Sequence, residues 1–381
     1  MGRLLGGRDT HLLAALLLRL WLGSGTCPCE NPVLCNPISE SREFEVRRNK
    51  VPYGNHVGVF VFDVGGKTWK FYDWSQITTV AAFGKYDPEL MCYAHSKGSR
   101  VVLKGDIPLK KIVNPAARTA WINHQVALAK RQYMDGINID IEQQVKKYSA
   151  KYYALTALVE EMTEAFHKEI PGSQVTFDVP WCPECIYKRV YNYTGIANSC
   201  DFVFVMSYDE QSQMWSHCIL GANAPYNQTL AGYDNYIRIG INPKKLVMGV
   251  PWYGYDYTCR GLSKDHVCSV AKIPFRGAPC SDPAGHQVPY KAVMKQIVPR
   301  SLSGILWDKE QKAPYVEYKD PQGAFHQVWF DDPRSISLKA AYVKKRGLRG
   351  IGMWHADCLS YSGDLAAQGQ TAAMWEALKP K

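Results

Sequence analysis

The stretch Asp135-Gly136-Ile137-Asn138-Ile139-Asp140-Ile141-Glu142 constrains this chain more than any other. β-Branched Ile at every second place predicts a β-strand, whose side chains alternate between two faces. Ile137, Ile139 and Ile141 fall on one face; Asn138, Asp140 and Glu142 fall on the other. A half-exposed edge strand has the same alternation. Here the next segment is strongly helical, so the Ile face is already used in packing under a helix. Polar and ionisable groups on the remaining face are costly to bury unless they are paired or have a task. The stretch is either a solvated edge or a catalytic face, and the rest of the chain must decide.

A rhythm of apolar runs surrounds it. They fall at 57–63, 78–84 and 100–105 before it, and at 174–180, 201–208, 246–252 and 350–355 after it. Most are near-continuous, as parallel strands buried on both faces require. Helical patterns lie between them. Ile122, Val126, Ala129 and Tyr133 share a helical face before the fourth strand, and Leu155, Leu158, Val159, Met162, Ala165 and Phe166 share one after it. Eight strands alternating with helices predict an α/β fold, a (β/α)8 TIM barrel. A doubly wound open sheet is the alternative, but the GxGxxG loop that would support it is absent from the sequence. The stretch from 252 to 350 is too long for one helix. Its Cys, Pro and Gly content, and alternation such as AFHQVWF at 324–330, predict an α+β insertion at about 256–332, between strand 7 and helix 7. Residues 333–346 then form that helix, with Pro333 near its first turn.

Three segments follow from this: 1–25, 26–56 and a barrel over 57–381. Residues 1–25 read as a secretory signal peptide, with basic Arg3 and Arg8, a short apolar run at 12–22 interrupted by Arg19, and small residues at 23–25. That run is too short to span a bilayer, and no later stretch is long and apolar enough. The 12 Cys are scattered in a way that suits disulfides in an oxidising compartment. Cys182-x-x-Cys185 resembles half of a zinc site or a redox motif, but with no second half it reads as structural or free thiols. The sequons at Asn192 and Asn227 predict surface loops carrying glycan. The net charge of +10 is spread along the chain, with no basic run interleaved with aromatics, so no nucleic-acid partner is expected. No metal-ligand spacing appears, and neither metal nor cofactor is expected.

A barrel places its catalytic groups at the C-terminal ends of strands. Glu142 ends the fourth strand, and Asp140 lies two residues deeper on the same face, about 6.6 Å away at 3.3 Å per residue. At that spacing two carboxyls raise one pKa, which points to Glu142 as a protonated general acid. Asp63 and Asp178 are possible further polar lining.

Residues 135–142 resemble the DxxDxDxE signature of glycoside hydrolase family 18, the chitinase family, except that Asn138 stands where the pattern has Asp. Met206-Ser207-Tyr208-Asp209 is similar to the family's M-x-Y-D motif. Residues 249–254 (GVPWYG) are similar to its G-x-P-x-Y-G segment, and Trp354 to its sugar-platform Trp. The resemblance spans about residues 57–378. It implies substrate-assisted hydrolysis of β-1,4-linked N-acetylglucosamine (GlcNAc). Glu142 is then the acid and later the base, and Asp140 orients the acetamido group. Tyr208 and Asp209 serve the same subsite, Asn138 positions Asp140, and Trp354, Tyr253, Trp252 and Met206 contact sugar. Within the family the chain looks closest to a lysosomal exo-acting branch that trims reducing-end GlcNAc from the chitobiose core of asparagine-linked glycans. Endo-acting chitinases and non-catalytic lectins on the same barrel are the alternatives. The expected partner is an oligosaccharide substrate, and the expected state is a monomer without a membrane span.

Overall fold

Seven parallel strands open the fold in a computed structural model that describes residues 26–38, 58–211, 217–275 and 278–380. They are β1 (Gly58–Asp63), β2 (Ile77–Ala82), β3 (Arg100–Gly105), β4 (Gly136–Ile139), β5 (Gln174–Pro180), β6 (Phe202–Met206) and β7 (Leu246–Pro251). The signal expected at 1–25 lies outside the described residues. After β7 the chain leaves the barrel. β8 (Tyr253–Thr258) follows Trp252 directly, so the extra sheet begins slightly before the expected residue 256. A small hairpin, β9 (Gly261–Leu262) and β10 (Cys268–Ser269), comes next. Then β11 (Gly285–Pro289), β12 (Leu306–Asp308), β13 (Ala313–Lys319) and β14 (Phe325–Trp329) join β8 in a five-stranded sheet of order β11-β8-β14-β13-β12. The chain returns as β15 (Gly350–Trp354), which pairs in parallel with β7 and β1 and closes the barrel. The doubly wound alternative is thereby excluded. β5 and β7 are buried at every residue; β7 is apolar throughout, whereas β5 also encloses Gln174, Thr176 and Asp178.

Helices α1 (Pro88–Ser96), α2 (Pro115–Arg131), α3 (Ala150–Glu169), α4 (Tyr193–Ser199), α5 (Tyr226–Arg238), α6 (Pro333–Arg346) and α7 (Leu365–Ala377) connect the strands. α6 has the bounds its sequence predicts. Asp332 and Ser335 cap each other reciprocally at its start, Pro333 takes the first turn, and Gly347 ends it at a left-handed φ of 69°.

The barrel interior is filled largely by aromatic rings. Phe60 and Phe62 of β1 meet Phe204 of β6 at centroid distances of 5.6 and 4.8 Å, and Phe62 meets Trp354 at 5.3 Å. Phe204 fits because β7 and β15 carry glycines opposite it. A Cβ on Gly249 would come within 2.6 Å of its ring, and one on Gly352 within 2.8 Å.

Disulfides Cys27–Cys35, Cys29–Cys92, Cys182–Cys185, Cys218–Cys280 and Cys259–Cys268 brace the loops, so the CxxC pair is a structural bridge. Cys200 and Cys358 are free and buried. Asp135, at the start of β4, has a long-range structural task. It accepts the Ile38 and Val101 amides and faces His95 Nε2 at 2.7 Å, while His95 Nδ1 lies 2.5 Å from the Leu34 carbonyl. This knot ties residues 26–38 to the N-terminal end of the barrel.

Candidate active site

β4 stops at Ile139, three residues short of the expected strand end at Glu142. Asp140 still continues its line, with its amide donating to the Gly105 carbonyl at 2.8 Å. Beyond it the chain turns toward the loop after β5, where Val145 bridges to Arg189. Ile137, Ile139 and Ile141 are fully buried, as the alternation predicts. The polar face looks into the barrel mouth, so the edge-strand reading is excluded.

Asp140 is the buried carboxyl of the pair. Burial pushes it up to about 6, and the charge of Glu142 adds to this. Lys104 opposes the shift from 3.9 Å. The Oδ1 of Asp140 is buried and makes no hydrogen bond within the described residues. Glu142 is half-exposed, and its Oε2 lies 3.0 Å from Arg189 Nη2. The deeper residue carries the burial.

Asn138 differs from expectation as well. Its Nδ2 donates to Thr176 Oγ1 at 2.9 Å and Asp178 Oδ1 at 2.8 Å, rather than to Asp140. Asp178 is enclosed, and burial, followed by the Asp140 charge, holds its carboxyl well above the usual carboxylate range. Asn138 thus fixes Asp178, the carboxyl next to Asp140 in the barrel interior.

The end of β6 supplies Met206, half-buried, and the buried Tyr208, whose ring meets Tyr253 edge-on at 6.0 Å. Burial keeps the Tyr208 hydroxyl protonated. Asp209 sits at a left-handed φ of 53°, and its amide donates to Asn223 Oδ1 at 2.7 Å. Its Oδ1 accepts from Tyr253 at 2.5 Å and Tyr255 at 3.1 Å. Burial raises its carboxyl too. Half-buried Trp354 ends β15 against Phe62 and Phe83. Next to it lies a cavity of about 330 Å³ lined by Trp354, Tyr253, Gln287, Lys291, His355 and Asp357 among others.

Trp252 does not join this group. It is fully buried and packs edge-on against Trp375 at 5.0 Å, so no face is free for sugar. Asp63 is also structural, since its Oδ2 accepts from Tyr72 at 2.6 Å. The sequons sit at helix starts rather than in loops. Asn192 caps α4, half-buried, with its Oδ1 accepting the Gly195 amide, whereas Asn227 is exposed in the first turn of α5. Sequence reasoning missed Arg189, Lys104 and Tyr255. A lysine inside the apolar run RVVLKG was a usable signal for Lys104; Arg189 lies in a loop with none.

An exposed carboxyl beside buried ones can exchange protons with a bound group and, from the deeper positions, accept an N–H. Comparison with known proteins agrees with that chemistry. The profile of glycosyl hydrolases family 18 matches residues 60–358. A human relative named di-N-acetylchitobiase is 68% identical over 95% of this chain and 91% of its own, and a mouse relative of that name is 67% identical over 98% and 97%. A Dictyostelium discoideum relative named probable di-N-acetylchitobiase 2 is 35% identical over 92% of this chain and 90% of its own. Among solved structures, a class V chitinase mutant from tobacco in complex with NAG4 shares the fold at a TM-score of 0.65 and 20% identity, covering 85% of this chain and 99% of that one. With the site at the mouth of a closed parallel barrel and the family profile spanning that barrel, this chain is a glycosidase and belongs to glycosyl hydrolases family 18.

Proposed function

We propose that this enzyme cleaves the β-1,4 bond between the two GlcNAc residues of a chitobiose core, releasing the reducing-end GlcNAc with retention by substrate assistance. The relatives named di-N-acetylchitobiase support the reaction. The observation that carries the mechanism is the buried Oδ1 of Asp140, an acceptor with no partner among the described residues, two residues from the exposed Glu142. A buried acceptor of this kind is matched by the N–H of a substrate acetamido group.

In this reading Glu142 gives its proton to the glycosidic oxygen as the bond to the anomeric carbon breaks. The acetamido oxygen bonds to that carbon, and Asp140 accepts the acetamido N–H and offsets the positive charge of the oxazolinium. Tyr208 donates to the acetamido oxygen. Asp209, fixed by Tyr253 and Tyr255, holds the same sugar. Asn138 and Asp178 form the layer beneath Asp140. Trp354 is the apolar floor, with Met206 beside it. Water then adds to the anomeric carbon, gives its proton to Glu142 and restores the acetamido group.

The enzyme works as a monomer in the secretory pathway, in the lysosome, after loss of residues 1–25 and with glycan on Asn227 and Asn192. Five disulfides suit an oxidising compartment. No helix of the described residues is long and apolar enough to cross a membrane.

Chitin oligomers labelled at the reducing end test this. Labelled GlcNAc as the sole labelled product is expected, and Glu142→Gln should lower its release by about 10²–10⁴-fold. Longer labelled products would identify an endo-acting chitinase. Binding without release would leave only a lectin.

A further inference from the structure

We propose that Arg189 is the positioning residue of the proton donor: it orients Glu142 and stabilises the carboxylate that proton transfer leaves behind. The proposal deepens the reading of Glu142 above and rests on it.

Arg189 is held by a seam between the loops after β4 and β5. The Val145 amide donates to the Lys188 carbonyl at 2.7 Å, and the Val190 amide to the Val145 carbonyl at 3.2 Å. The Tyr191 hydroxyl lies 2.8 Å from the carbonyls of Ile141 and Gln143 and accepts the Gln143 amide at 3.0 Å, so both chain neighbours of Glu142 are tied. Tyr193 donates to the Arg189 carbonyl at 2.7 Å. These bonds close the seam without the ion pair.

The ion pair itself adds little stability. The Glu142 side chain is 51% exposed, and pairs of that kind contribute about 0–1 kcal/mol. The Arg189 side chain is only 9% exposed, so its rotamer is set by packing. Its effect on Glu142 is therefore geometric and electrostatic. As Glu142 releases its proton, negative charge develops 3.0 Å from a cation already in place, and no reorganisation is needed at that moment. The other ionisable groups around Glu142 are Asp140 at the end of β4, Asp178 on β5, Tyr191 after β5, and Tyr208 and Asp209 after β6. Lys104 on β3 and Asp106 after it act on Asp140. Arg189 and Lys104 are the cations in this set, and it is Arg189 that touches Glu142.

Arg189→Gln keeps a hydrogen-bond donor and removes the charge. Its kcat on chitobiose should fall roughly tenfold or more, part of the 10²–10⁴ that positioned proton transfer supplies. The alkaline limb of its kcat/KM profile should move to higher pH, and Arg189→Lys should recover part of both effects. A purely structural role would lower Tm and leave the limb in place, and that result overturns the proposal. If Arg189→Gln does not fold, Arg189→Lys decides: a lower kcat with the limb still partly displaced to higher pH supports the proposal, and an unmoved limb refutes it. An unmoved limb with Glu142→Gln inactive removes this proposal alone. A Glu142→Gln enzyme as active as wild type removes the reading of Glu142 and this proposal together.

Discussion

Asp140 shows how much burial alone can assign. Two carboxyls two residues apart in sequence have opposite surroundings, one enclosed and one beside solvent and Arg189. The enclosed one has its pKa raised from 3.8 to about 6. A carboxyl raised in the folded state contributes stability that is fully present below its unfolded value and is lost as pH rises through the folded one. Asp140 therefore destabilises the native protein between about pH 4 and pH 7. Asp140→Asn removes the negative charge that the proposed mechanism needs, yet it also removes this loss of stability. Its stability relative to wild type should grow from pH 4 to pH 7, by on the order of 3 kcal/mol at the upper limit. Thermal denaturation at both pH values measures it, and an advantage that shrinks with pH would contradict the assignment.

At the scale of elements, barrel closure depends on glycines that give no periodic signal. Gly249 on β7 and Gly352 on β15 leave room for Phe204, which in turn packs on Phe60 and Phe62 under Trp354. Gly249→Ala pushes a methyl group into that ring and should cost about 1–3 kcal/mol in urea denaturation. Gly363→Ala meets nothing within 4 Å and serves as the control, with an effect within about 0.5 kcal/mol. Equal effects at the two sites would show that the Phe204 ring and the Val205 carbonyl, both within 2.6 Å of that methyl group, can give way.

For the whole molecule, the segment 26–38 is joined to the barrel by the Cys29–Cys92 bridge and by the knot at Asp135. Both ring nitrogens of His95 face acceptors, Asp135 and the Leu34 carbonyl, and this arrangement suits the imidazolium. Burial lowers the His95 pKa, but the charge of Asp135 and the hydrogen bonds outweigh it, and the net shift is upward from 6.5. The stabilisation is thus complete below pH 6.5 and fades as pH rises through the folded value. His95→Gln should cost more stability at pH 5 than at pH 8, read as the Tm difference from wild type. A larger cost at pH 8 would refute the sign. The knot favours an acidic setting, in line with the proposed lysosomal one.

By itself the sequence determined the barrel and the strand that carries the candidate carboxyls, and its resemblance to family 18 supplied the chemistry expected there. Strand order follows from apolar runs that must be buried on both faces, and such runs are local and periodic. Asp140 and Glu142 were legible at the end of such a run, where a side chain must meet the barrel mouth, and Tyr208 and Trp354 through the resemblance of their segments to family 18 motifs. Only the tertiary structure decided which carboxyl is buried, that Asn138 holds Asp178, that Trp252 faces the core against Trp375, and that Arg189 reaches Glu142 across a loop seam. Burial and charge pairing depend on residues distant in sequence, 47 positions apart for Arg189 and Glu142, and no local pattern carries that distance.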